Sequence, residues 1–216
     1  MTRVWDCSDP EQRIDGIADA IAAVERGEVI VMPTDTVYGI GCDAFQPAAV
    51  DALLAAKGRG RDMPVPVLVG SWNGIYGLMD VVPALVRDLL QAFWPGGLTL
   101  VVRHSAGLAW DLGDAAGTVA VRMPLHPVAL EVIQGVGPMG VSSANRTGHE
   151  AASTAQEARE QLGAAVGVYL DGGSSGEPVA STIVDCSRPG EPPRMLRQGA
   201  ITFADLTEVV PTLQPQ

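Results

Sequence analysis

Residues 29–36 read VIVMPTDT, and this stretch decides the class of fold. Its four apolar residues, stopped by Pro33, predict a short buried strand. Apolar residues at helical spacing precede the strand, and Gly27 stands where a helix C-cap is expected. Those apolar residues are Ile14, Ile17, Ile21 and Val24. A helix that leads into a buried strand indicates an α/β sheet covered by helices.

The same alternation of helix and strand continues along the chain. Further strands are predicted at residues 65–69, 98–102, 118–123, 139–142, 166–170 and 182–185. Further helices are predicted from Pro47, from Pro83, and at residues 126–134, 154–162 and 203–210. Because two of these strands follow one another at 98–102 and 118–123 without a helix, the sheet should be mixed. We expect one domain over residues 1–210 and a loose tail at 211–216.

The bulk composition limits the classes of protein to which the chain can belong. Its 216 residues carry a net charge of −11, which argues against extended electrostatic binding to the phosphates of a nucleic acid. No apolar run approaches the ~18 residues of a membrane span, and the N-terminus lacks the apolar core of a secretory signal. We therefore expect a cytoplasmic protein without membrane association. Three cysteines far apart in sequence predict reduced, mostly buried thiols and no zinc site.

Polar clusters follow directly after three of the predicted strands. They are PTDT at 33–36, SSAN at 142–145 and DGG at 171–173. Ligands of open α/β sheets bind outside the carboxyl ends of strands, so the three loops could share one pocket. Each could equally be an ordinary turn, since Pro, Asp, Asn and Gly form turns readily. The residues alone leave both interpretations open.

Two groups of cations are candidates for binding an anion. Lys57-Gly58-Arg59-Gly60-Arg61 joins a predicted helix to a predicted strand, and its charges suit a polyphosphate, although a solvated basic loop fits equally well. Arg122 ends an otherwise apolar strand, so it needs a carboxylate or phosphate partner. That partner could be a ligand or simply an aspartate or glutamate of the protein.

Other patterns are not interpreted as sites. The glycine patterns at 39–44 and 135–140 do not stand between a strand and a following helix, as a dinucleotide fingerprint requires. No GxSxG accompanies the three histidines, so a hydrolase triad is not predicted. His126 precedes Pro127 at a predicted helix start, where it is expected to cap the helix or to face solvent.

Together these segments resemble the YrdC/TsaC family, the threonylcarbamoyl-AMP synthases. The matching stretches, in family order, are PTDTVYGIGCDA (33–44), KGRGRDMPV (57–65), FWPGGLTLVV (93–102), TVAVRMPLHP (118–127), SSANRTG (142–148), YLDGG (169–173), STIVD (181–185) and LRQG (196–199). They cover nearly the whole chain, which resembles the short, single-domain members. The resemblance implies a twisted, open, mixed α/β sheet flanked by helices, with a deep concave site.

The resemblance also implies a reaction. In this family the amine of L-threonine captures bicarbonate or CO2 as a carbamate, and the carbamate oxygen attacks the α-phosphate of ATP with release of pyrophosphate. Partner proteins then pass the threonylcarbamoyl group to tRNA. Mg²⁺ is expected to arrive with ATP, held largely by phosphates and water, and no metal site of the protein is expected. The chain should therefore be a nucleotidyltransferase with at most weak RNA binding of its own.

Carried over position by position, the resemblance assigns roles to individual residues. The implied catalytic residues beside the triphosphate are Lys57 and Arg59. The implied nucleotide contacts are Arg59, Met63, Thr118, Ser143, Asn145 and Arg197. The implied threonine contacts are Thr36, Leu68, Arg122, Val141 and Ser181. Met63 stands where many relatives have asparagine, and Leu68 where the family has a histidine, so contacts at these two positions depart from the family pattern.

Two other functions stay open at this point. Carbamoyl adenylation of a different substrate occurs in a related domain of hydrogenase-maturation proteins, but there it is accompanied by acylphosphatase and zinc-finger segments that this sequence does not contain. The alternative from another class is a non-catalytic module that binds double-stranded RNA or tRNA. The net charge of −11 argues against strong RNA binding.

Overall fold

The computed structural model describes residues 2–176 and 179–216, and its strands form one ten-stranded sheet. The strands are β1 (Arg3–Asp6), β2 (Ile30–Met32), β3 (Gly39–Asp43), β4 (Val67–Leu68), β5 (Leu98–Arg103), β6 (Thr118–Arg122), β7 (Met139–Ser143), β8 (Val168–Asp171), β9 (Thr182–Asp185) and β10 (Arg194–Arg197). The helices are α1 (Pro10–Glu25), α2 (Pro47–Lys57), α3 (Asn73–Leu78), α4 (Ala84–Phe93), α5 (Pro127–Val136), α6 (Ala155–Leu162) and α7 (Phe203–Val209). The strand order is β1-β8-β2-β3-β7-β4-β6-β5-β9-β10. Parallel and antiparallel neighbours both occur, which confirms the predicted mixed sheet.

Helices cover both faces of the sheet, and alternate residues of β2 show which helices lie on which face. Ile30 and Met32 pack with buried residues of α1 and α5. Val31, between them, packs in the other core cluster, to which α2, α4, α6 and α7 contribute. All three residues are inaccessible to solvent, so the prediction of a buried strand is confirmed.

The face of α1 that packs on the sheet is formed largely by small residues and only partly by the isoleucines of its sequence. The small residue Ala20 is fully buried, whereas Ile14 is 69% exposed. A Cβ on Gly16 would lie only 2.6 Å from Cβ of Trp5 in β1. Small residues therefore allow α1 to approach the sheet closely, and the isoleucine stripe is turned partly away. The helix predicted from the apolar spacing is present, and its end is confirmed by Gly27, which has a φ of +81°.

Four short elements are not predicted by periodicity: β1, β3, α3 and β10. The glycine pattern at 39–44 contains the whole of β3, and no helix follows it directly. A Cβ on Gly39 would lie 2.8 Å from Cγ1 of Val141, so the glycine permits close packing against β7. The strand predicted at 65–69 is limited to Val67 and Leu68.

The C-terminal residues are held against β10. Leu213 is buried, and the backbone of Gln214 makes two hydrogen bonds of 2.9 Å, to the carbonyl of Pro193 and from the amide of Met195. The chain is therefore anchored as far as Gln214, where the sequence suggested a loose tail. The division of the chain at residue 210 stays a prediction.

Two simpler expectations can be compared with the structure directly. The three cysteines are unpaired, with Cys7 and Cys42 buried and Cys186 partly buried, as predicted. Among the described residues, none of the helices has the length and apolar character needed to cross a membrane.

The loop after β2 reaches across the sheet to the end of β6. Three strands lie between β2 and β6 in the sheet order, which corresponds to about 19 Å between their axes in a flat sheet. Nη1 of Arg122, the last residue of β6, nevertheless donates a hydrogen bond of 2.7 Å to Oγ1 of Thr36. The loop at residues 33–38 therefore bends over one face of the sheet and brings two of the sequence motifs into one place.

Candidate active site

Arg122 is a buried cation at the end of β6, with 7% of its surface exposed. Its Nε donates to the carbonyl of Gly96 over 2.9 Å. Nη1 donates to Oγ1 of Thr36 and Nη2 to Oδ1 of Asp35, each over 2.7 Å. Burial lowers the pKa of Arg122, and the charge of Asp35 opposes this effect. An aspartate of the protein is therefore one partner of Arg122, and the described residues leave two of its five N–H donors unused.

The hydroxyl group of Thr36 can accept a further hydrogen bond but cannot donate one. The hydroxyl of Thr34 donates to the carbonyl of Val37 over 2.6 Å. Because a hydroxyl has a single hydrogen, the 3.1 Å contact between Thr34 and Thr36 is a donation from Thr36. Oγ1 of Thr36 also accepts from Arg122, so one lone pair is left for a ligand.

Ser181 has the complementary capacity. Its Oγ accepts from Oγ1 of Thr99 over 2.8 Å and from Nη2 of Arg197 over 3.2 Å, which leaves its own hydrogen to be donated. Although part of Arg197 reaches solvent, the surrounding protein lowers its pKa, and the charge of Arg122 lowers it further. Because like charges disfavour each other, an anionic ligand near both guanidinium groups would be stabilised by the two of them.

The ammonium group of Lys57 is enclosed by the SSAN loop. Nζ donates to the carbonyl of Ser143, to the carbonyl of Asn145 over 2.7 Å and to Oδ1 of Asn145 over 3.4 Å. Lys57 is 3% exposed and has no carboxylate among these partners, so burial, together with the charge of Arg59, lowers its pKa to about 8. The structure thus gives Lys57 a role in holding the loop, and its catalytic contact with a triphosphate stays a prediction.

The two arginines of the basic segment have different neighbours. Nη1 of Arg59 donates to Oγ of Ser142 over 3.0 Å, and its other nitrogens bond backbone carbonyls of its own loop. Arg61 instead forms ion pairs with Asp51, at 2.6 Å, and with Asp111. The segment is therefore not a uniformly solvated basic loop. Arg59 joins the SSAN loop, while two carboxylates compensate the charge of Arg61.

Tyr38 links all three polar loops. Its carbonyl accepts from the amide of Ala144, next to the serines of the SSAN loop, over 2.8 Å. Its hydroxyl accepts from the amide of Gly172 over 3.0 Å and donates to the carbonyl of Gly173 over 2.5 Å. Tyr38 is fully buried, and this burial raises the pKa of its hydroxyl far above the ordinary value. Tyr38 therefore brings the PTDT, SSAN and DGG loops together, which favours the first of the two interpretations left open by the sequence.

The remaining predicted contacts are less closely grouped. Leu68 lies opposite Arg122 between β4 and β6, and it belongs with Val141 to the core cluster beneath α1 and α5. Met63 is 39% exposed. Thr118 begins the strand that Arg122 ends, so the two residues lie about 13 Å apart along β6. The ligand contacts assigned to these residues stay predictions, as does the depth of the site.

Asp35 and His126 lie in the same region, although the sequence assigned neither a role in binding. Oδ1 of Asp35 accepts from Arg122 and, over 2.8 Å, from the backbone amide of Leu125. His126 stands at the N-cap of α5, but its side chain makes no capping hydrogen bond and the residue is half-buried, so of the two expectations capping is wrong and exposure is only partial. Within the described part of the chain, Nδ1 of His126 is the buried side-chain atom that lacks a hydrogen-bond partner. The position of His126 before Pro127 in the sequence does not predict a buried ring nitrogen without a partner.

The grouped residues offer cations and hydroxyl groups. Arg122 and Arg197 lie beside the hydroxyls of Thr36 and Ser181, and Lys57 and Arg59 are bonded to the SSAN loop. Among residues 2–176 and 179–216, no cluster of three or more His, Cys, Asp or Glu side chains is placed to hold a metal ion. Such a set can orient a ligand that carries carboxylate and phosphate groups and can stabilise negative charge on it.

The sequence matches a family model over most of its length. The Sua5/YciO/YrdC model, described as "Telomere recombination", matches residues 22–199. The chain belongs to this family. The resemblance to YrdC proteins is thereby confirmed, and the matched range includes Thr36, Lys57, Arg122, Ser143 and Arg197 among the predicted site residues.

Three relatives show how far the similarity extends. A Mycobacterium leprae protein, provisionally named a threonylcarbamoyl-AMP synthase, is 59% identical over 97% of this chain and 94% of its own length. The threonylcarbamoyl-AMP synthase of Bacillus subtilis is 35% identical over 97% of this chain and 59% of its own length. The crystal structure of Pyrococcus abyssi Sua5 complexed with L-threonine has a TM-score of 0.90 and 29% identity, and covers 100% of this chain and 62% of the Sua5 chain. The predicted α/β fold is thus confirmed.

Proposed function

We propose that this chain is an L-threonylcarbamoyladenylate synthase, a nucleotidyltransferase that converts L-threonine, bicarbonate or CO2, and ATP into L-threonylcarbamoyl-AMP and pyrophosphate. The observation that carries the proposal is the environment of Arg122, a buried cation with two unused N–H donors in the described structure, beside Thr36 and Arg197. Relatives named for this activity, and a structural neighbour complexed with L-threonine, support it. They favour the enzyme over an RNA-binding module.

In the proposed complex, the amino acid lies between the loop after β2 and the start of β9. Its carboxylate binds the two remaining donors of Arg122 through charge-assisted hydrogen bonds. Its hydroxyl donates to the lone pair of Thr36 and accepts the hydrogen of Ser181, because each protein hydroxyl has only that capacity left. Leu68 and Val141 provide apolar surface for the methyl group.

The nucleotide is proposed to lie beside the basic segment and the SSAN loop. When the carbamate oxygen attacks the α-phosphorus, negative charge grows on the phosphate oxygens, and Arg59 and Arg197 supply positive charge. Lys57 contributes its own charge and keeps Ser143 and Asn145 in position; Met63 and Thr118 are the further proposed nucleotide contacts. Nucleotidyl transfer depends mainly on positioning and charge stabilisation, so no covalent nucleophile is required.

The proposal includes the molecules that the enzyme meets before and after the reaction. Mg²⁺ enters as part of the ATP substrate, since phosphate oxygens and water can supply its ligands. The product is handed to separate proteins that transfer the threonylcarbamoyl group to tRNA. With a net charge of −11, the chain itself binds RNA at most weakly. We place the reaction in the cytoplasm.

The direct test is incubation of the protein with MgATP, L-threonine and labelled bicarbonate, followed by product analysis. Labelled threonylcarbamoyl-AMP and pyrophosphate should form together and only when all three substrates are present. L-Valine in place of L-threonine is the control, because it keeps the shape but lacks the hydroxyl. Absence of the adenylate, with a salt-sensitive shift of double-stranded RNA in its place, would favour the binding module instead.

A further inference from the structure

Asp35 uses only one of its two carboxylate oxygens within the protein. Oδ1 accepts from Nη2 of Arg122 over 2.7 Å and from the amide of Leu125 over 2.8 Å. In the described part of the chain, Oδ2 makes no hydrogen bond, and it is not a buried atom, because Nδ1 of His126 is the buried side-chain atom without a partner there. Oδ2 therefore meets solvent directly beside the guanidinium group of Arg122.

This pair of charges matches the two charges of an α-amino acid. The amino and carboxylate groups of such a ligand are carried by one carbon atom, so their partners on the protein must be neighbours. Arg122 and Asp35 are in direct contact, and each keeps part of its hydrogen-bonding capacity. A ligand carboxylate on Arg122 therefore brings the ligand ammonium group to Oδ2 of Asp35.

His126 directly follows Leu125, whose amide bonds Asp35, and the charge of Asp35 acts on its ring, which makes no hydrogen bond in the described structure. Burial is the main influence on its pKa and lowers it; the charge of Asp35 raises it, and that of Arg13 lowers it again. Burial and Arg13 thus favour the neutral form of the ring. Neither ring nitrogen is hydrogen-bonded in the described structure, and Nε2 is the one that meets solvent. A neutral imidazole with an accessible nitrogen can accept a proton.

Other charged groups around the ring come from each element packed against it. Arg13 of α1 is paired with Glu131 of α5, which compensates much of its charge. Asp171 ends β8 and precedes Gly172, where a Cβ would lie 3.4 Å from Cε1 of His126. Asp35 is itself paired with Arg122, so the opposite charges near the ring largely compensate one another, while Asp35 favours an imidazolium once it has formed.

We infer that Asp35 and His126 form the subsite for the amino group of the substrate: Oδ2 of Asp35 binds the ammonium form, and Nε2 of His126 accepts the proton that this group loses. The inference rests on the proposed function. The proton moves from the ammonium nitrogen to Nε2, and the freed lone pair forms an N–C bond with CO2 while one C–O π bond becomes a carboxylate oxygen. The nitrogen then releases a second proton to water, which leaves the carbamate.

Asp35→Asn tests the first part of the inference. The amide oxygen of asparagine can still accept from Arg122 and Leu125, so the fold is retained, but the charge beside the ligand ammonium is lost. The dissociation constant of L-threonine should rise about tenfold or more, the loss of one charge-assisted hydrogen bond, while the KM for ATP holds. The hydroxy-acid analogue 2,3-dihydroxybutanoate, which has no amine, should bind wild type and variant equally well.

His126→Asn tests the second part. Asparagine keeps a polar group near the position of Nδ1 but cannot accept a proton. The kcat should fall about a hundredfold, and the decline of kcat at acid pH should disappear, whereas threonine binding should not change. His126→Ala should regain activity when imidazole is added. The matched control is His104→Asn at the opposite end of the β5–β6 pair from Arg122, where the ring contacts Trp110.

Each result decides between the possibilities. If wild type forms no adenylate, the proposed function fails; if wild type is active and both variants behave like His104→Asn, only this inference fails. Equal weakening of threonine and of the hydroxy acid by Asp35→Asn would overturn the ammonium role. A His126→Asn variant that loses thermal stability and threonine binding together, without rescue of His126→Ala by imidazole, would overturn the proton role.

Discussion

Thr36 and Ser181 each carry one hydroxyl group, but the bonds they already make leave them different capacities. The hydroxyl of Thr36 donates to Thr34 and has one lone pair free. The hydroxyl of Ser181 accepts from Thr99 and Arg197 and has its hydrogen free. A ligand hydroxyl could satisfy both at once, since it can donate and accept. At the scale of single residues, hydrogen-bond direction thus sets the expected specificity.

We expect Ser181→Ala to narrow the preference for threonine over valine. A site built to pair a hydroxyl rejects a ligand that lacks it, because its own polar groups stay unpaired. The kcat/KM for threonine should fall about tenfold or more, while the low value for valine should change little. Thr36→Ser keeps the hydroxyl and serves as the control. Adenylate formation with both amino acids checks this, and an equal fall for both would argue against the assigned contact.

Arg122→Lys should weaken threonine binding much more than ATP binding. Lysine keeps a positive charge near Asp35 but cannot reproduce the planar fork that bonds three protein acceptors and a carboxylate. Loss of one charge-assisted hydrogen bond, about 1.5–3 kcal/mol, corresponds to an increase in threonine KM of roughly tenfold to a hundredfold.

The control for Arg122→Lys is Arg61→Lys, because Arg61 forms its ion pairs with the exposed Asp51 and Asp111, where water and salt screen the charges. Steady-state kinetics with each substrate varied in turn provide the measurement. A rise in ATP KM with an unchanged threonine KM would place Arg122 in the nucleotide subsite.

At the scale of elements, α2 and the loop after β7 form one unit. The carbonyl of Lys57 accepts from the amide of Thr147 over 2.8 Å, while its ammonium group bonds Ser143 and Asn145 in the same loop. Gly58, with a φ of +60°, ends the helix and turns the chain toward Arg59. The helix terminus and the loop are therefore expected to move together.

Lys57→Met and Arg59→Ala should each reduce adenylate formation by about a hundredfold while the fold is retained. Methionine fills the buried space of Lys57 but leaves three acceptors of the SSAN loop without their donor. Amide hydrogen exchange over residues 143–149 should therefore become faster in Lys57→Met. Single-turnover rates at saturating ATP provide the activity measurement, and near-normal rates in both variants would refute the assigned roles.

The depressed pKa of Lys57 also predicts how stability depends on pH. In the native protein burial lowers the pKa of Lys57 to about 8, whereas in the unfolded chain its pKa is the ordinary lysine value of 10.5. Between these values the unfolded state binds more protons, so this group makes the free energy of unfolding increase with pH, by roughly 3 kcal/mol at most. Denaturant unfolding measures the free energy of unfolding of both proteins. From pH 8 to 10.5 that free energy should increase for wild type relative to Lys57→Met. A constant difference would contradict the depressed pKa.

At the scale of the whole molecule, the site joins segments that are distant in sequence. Tyr38 ties the loops after β2, β7 and β8 together, and Thr182 at the start of β9 holds the chain after β10 through the amides of Gly199 and Ile201. Ligands that contact several of these loops should therefore stabilise the protein as a unit.

L-Threonine and ATP together should raise the melting temperature. A ligand at a hundred times its dissociation constant contributes about 2.7 kcal/mol, which corresponds to roughly 5–10 °C for a domain of this size. Valine with ATP should give a smaller shift, since valine cannot pair the hydroxyls of Thr36 and Ser181. Thermal unfolding followed by circular dichroism measures this, and identical shifts with the two amino acids would argue against threonine as the substrate.

Much of the fold follows from local sequence, and the exceptions share a physical cause. The apolar run before Pro33 and the helix opened by Pro47 are strong local signals, and both elements are present as predicted. The strands β1 and β10 lie at the sheet edges, are four residues long, and bury between them only Met195 fully, so their apolar pattern is too short and too weak to predict a strand. β3 was missed because Gly39 and Gly41 are favoured by close packing against β7 and not by strand propensity.

The sequence by itself determined the α/β class, the order of most elements and the motifs that carry the chemistry, because hydrophobic period, proline and glycine act over a few neighbouring residues. Only the tertiary structure determined which side chains contact one another. Arg122 bonds Asp35, which is 87 residues away in sequence, and Lys57 bonds Asn145, which is 88 residues away. Arg61 instead forms an ion pair with Asp51. Such contacts depend on how a loop bends over a sheet that is assembled from distant strands, and no local pattern encodes that geometry.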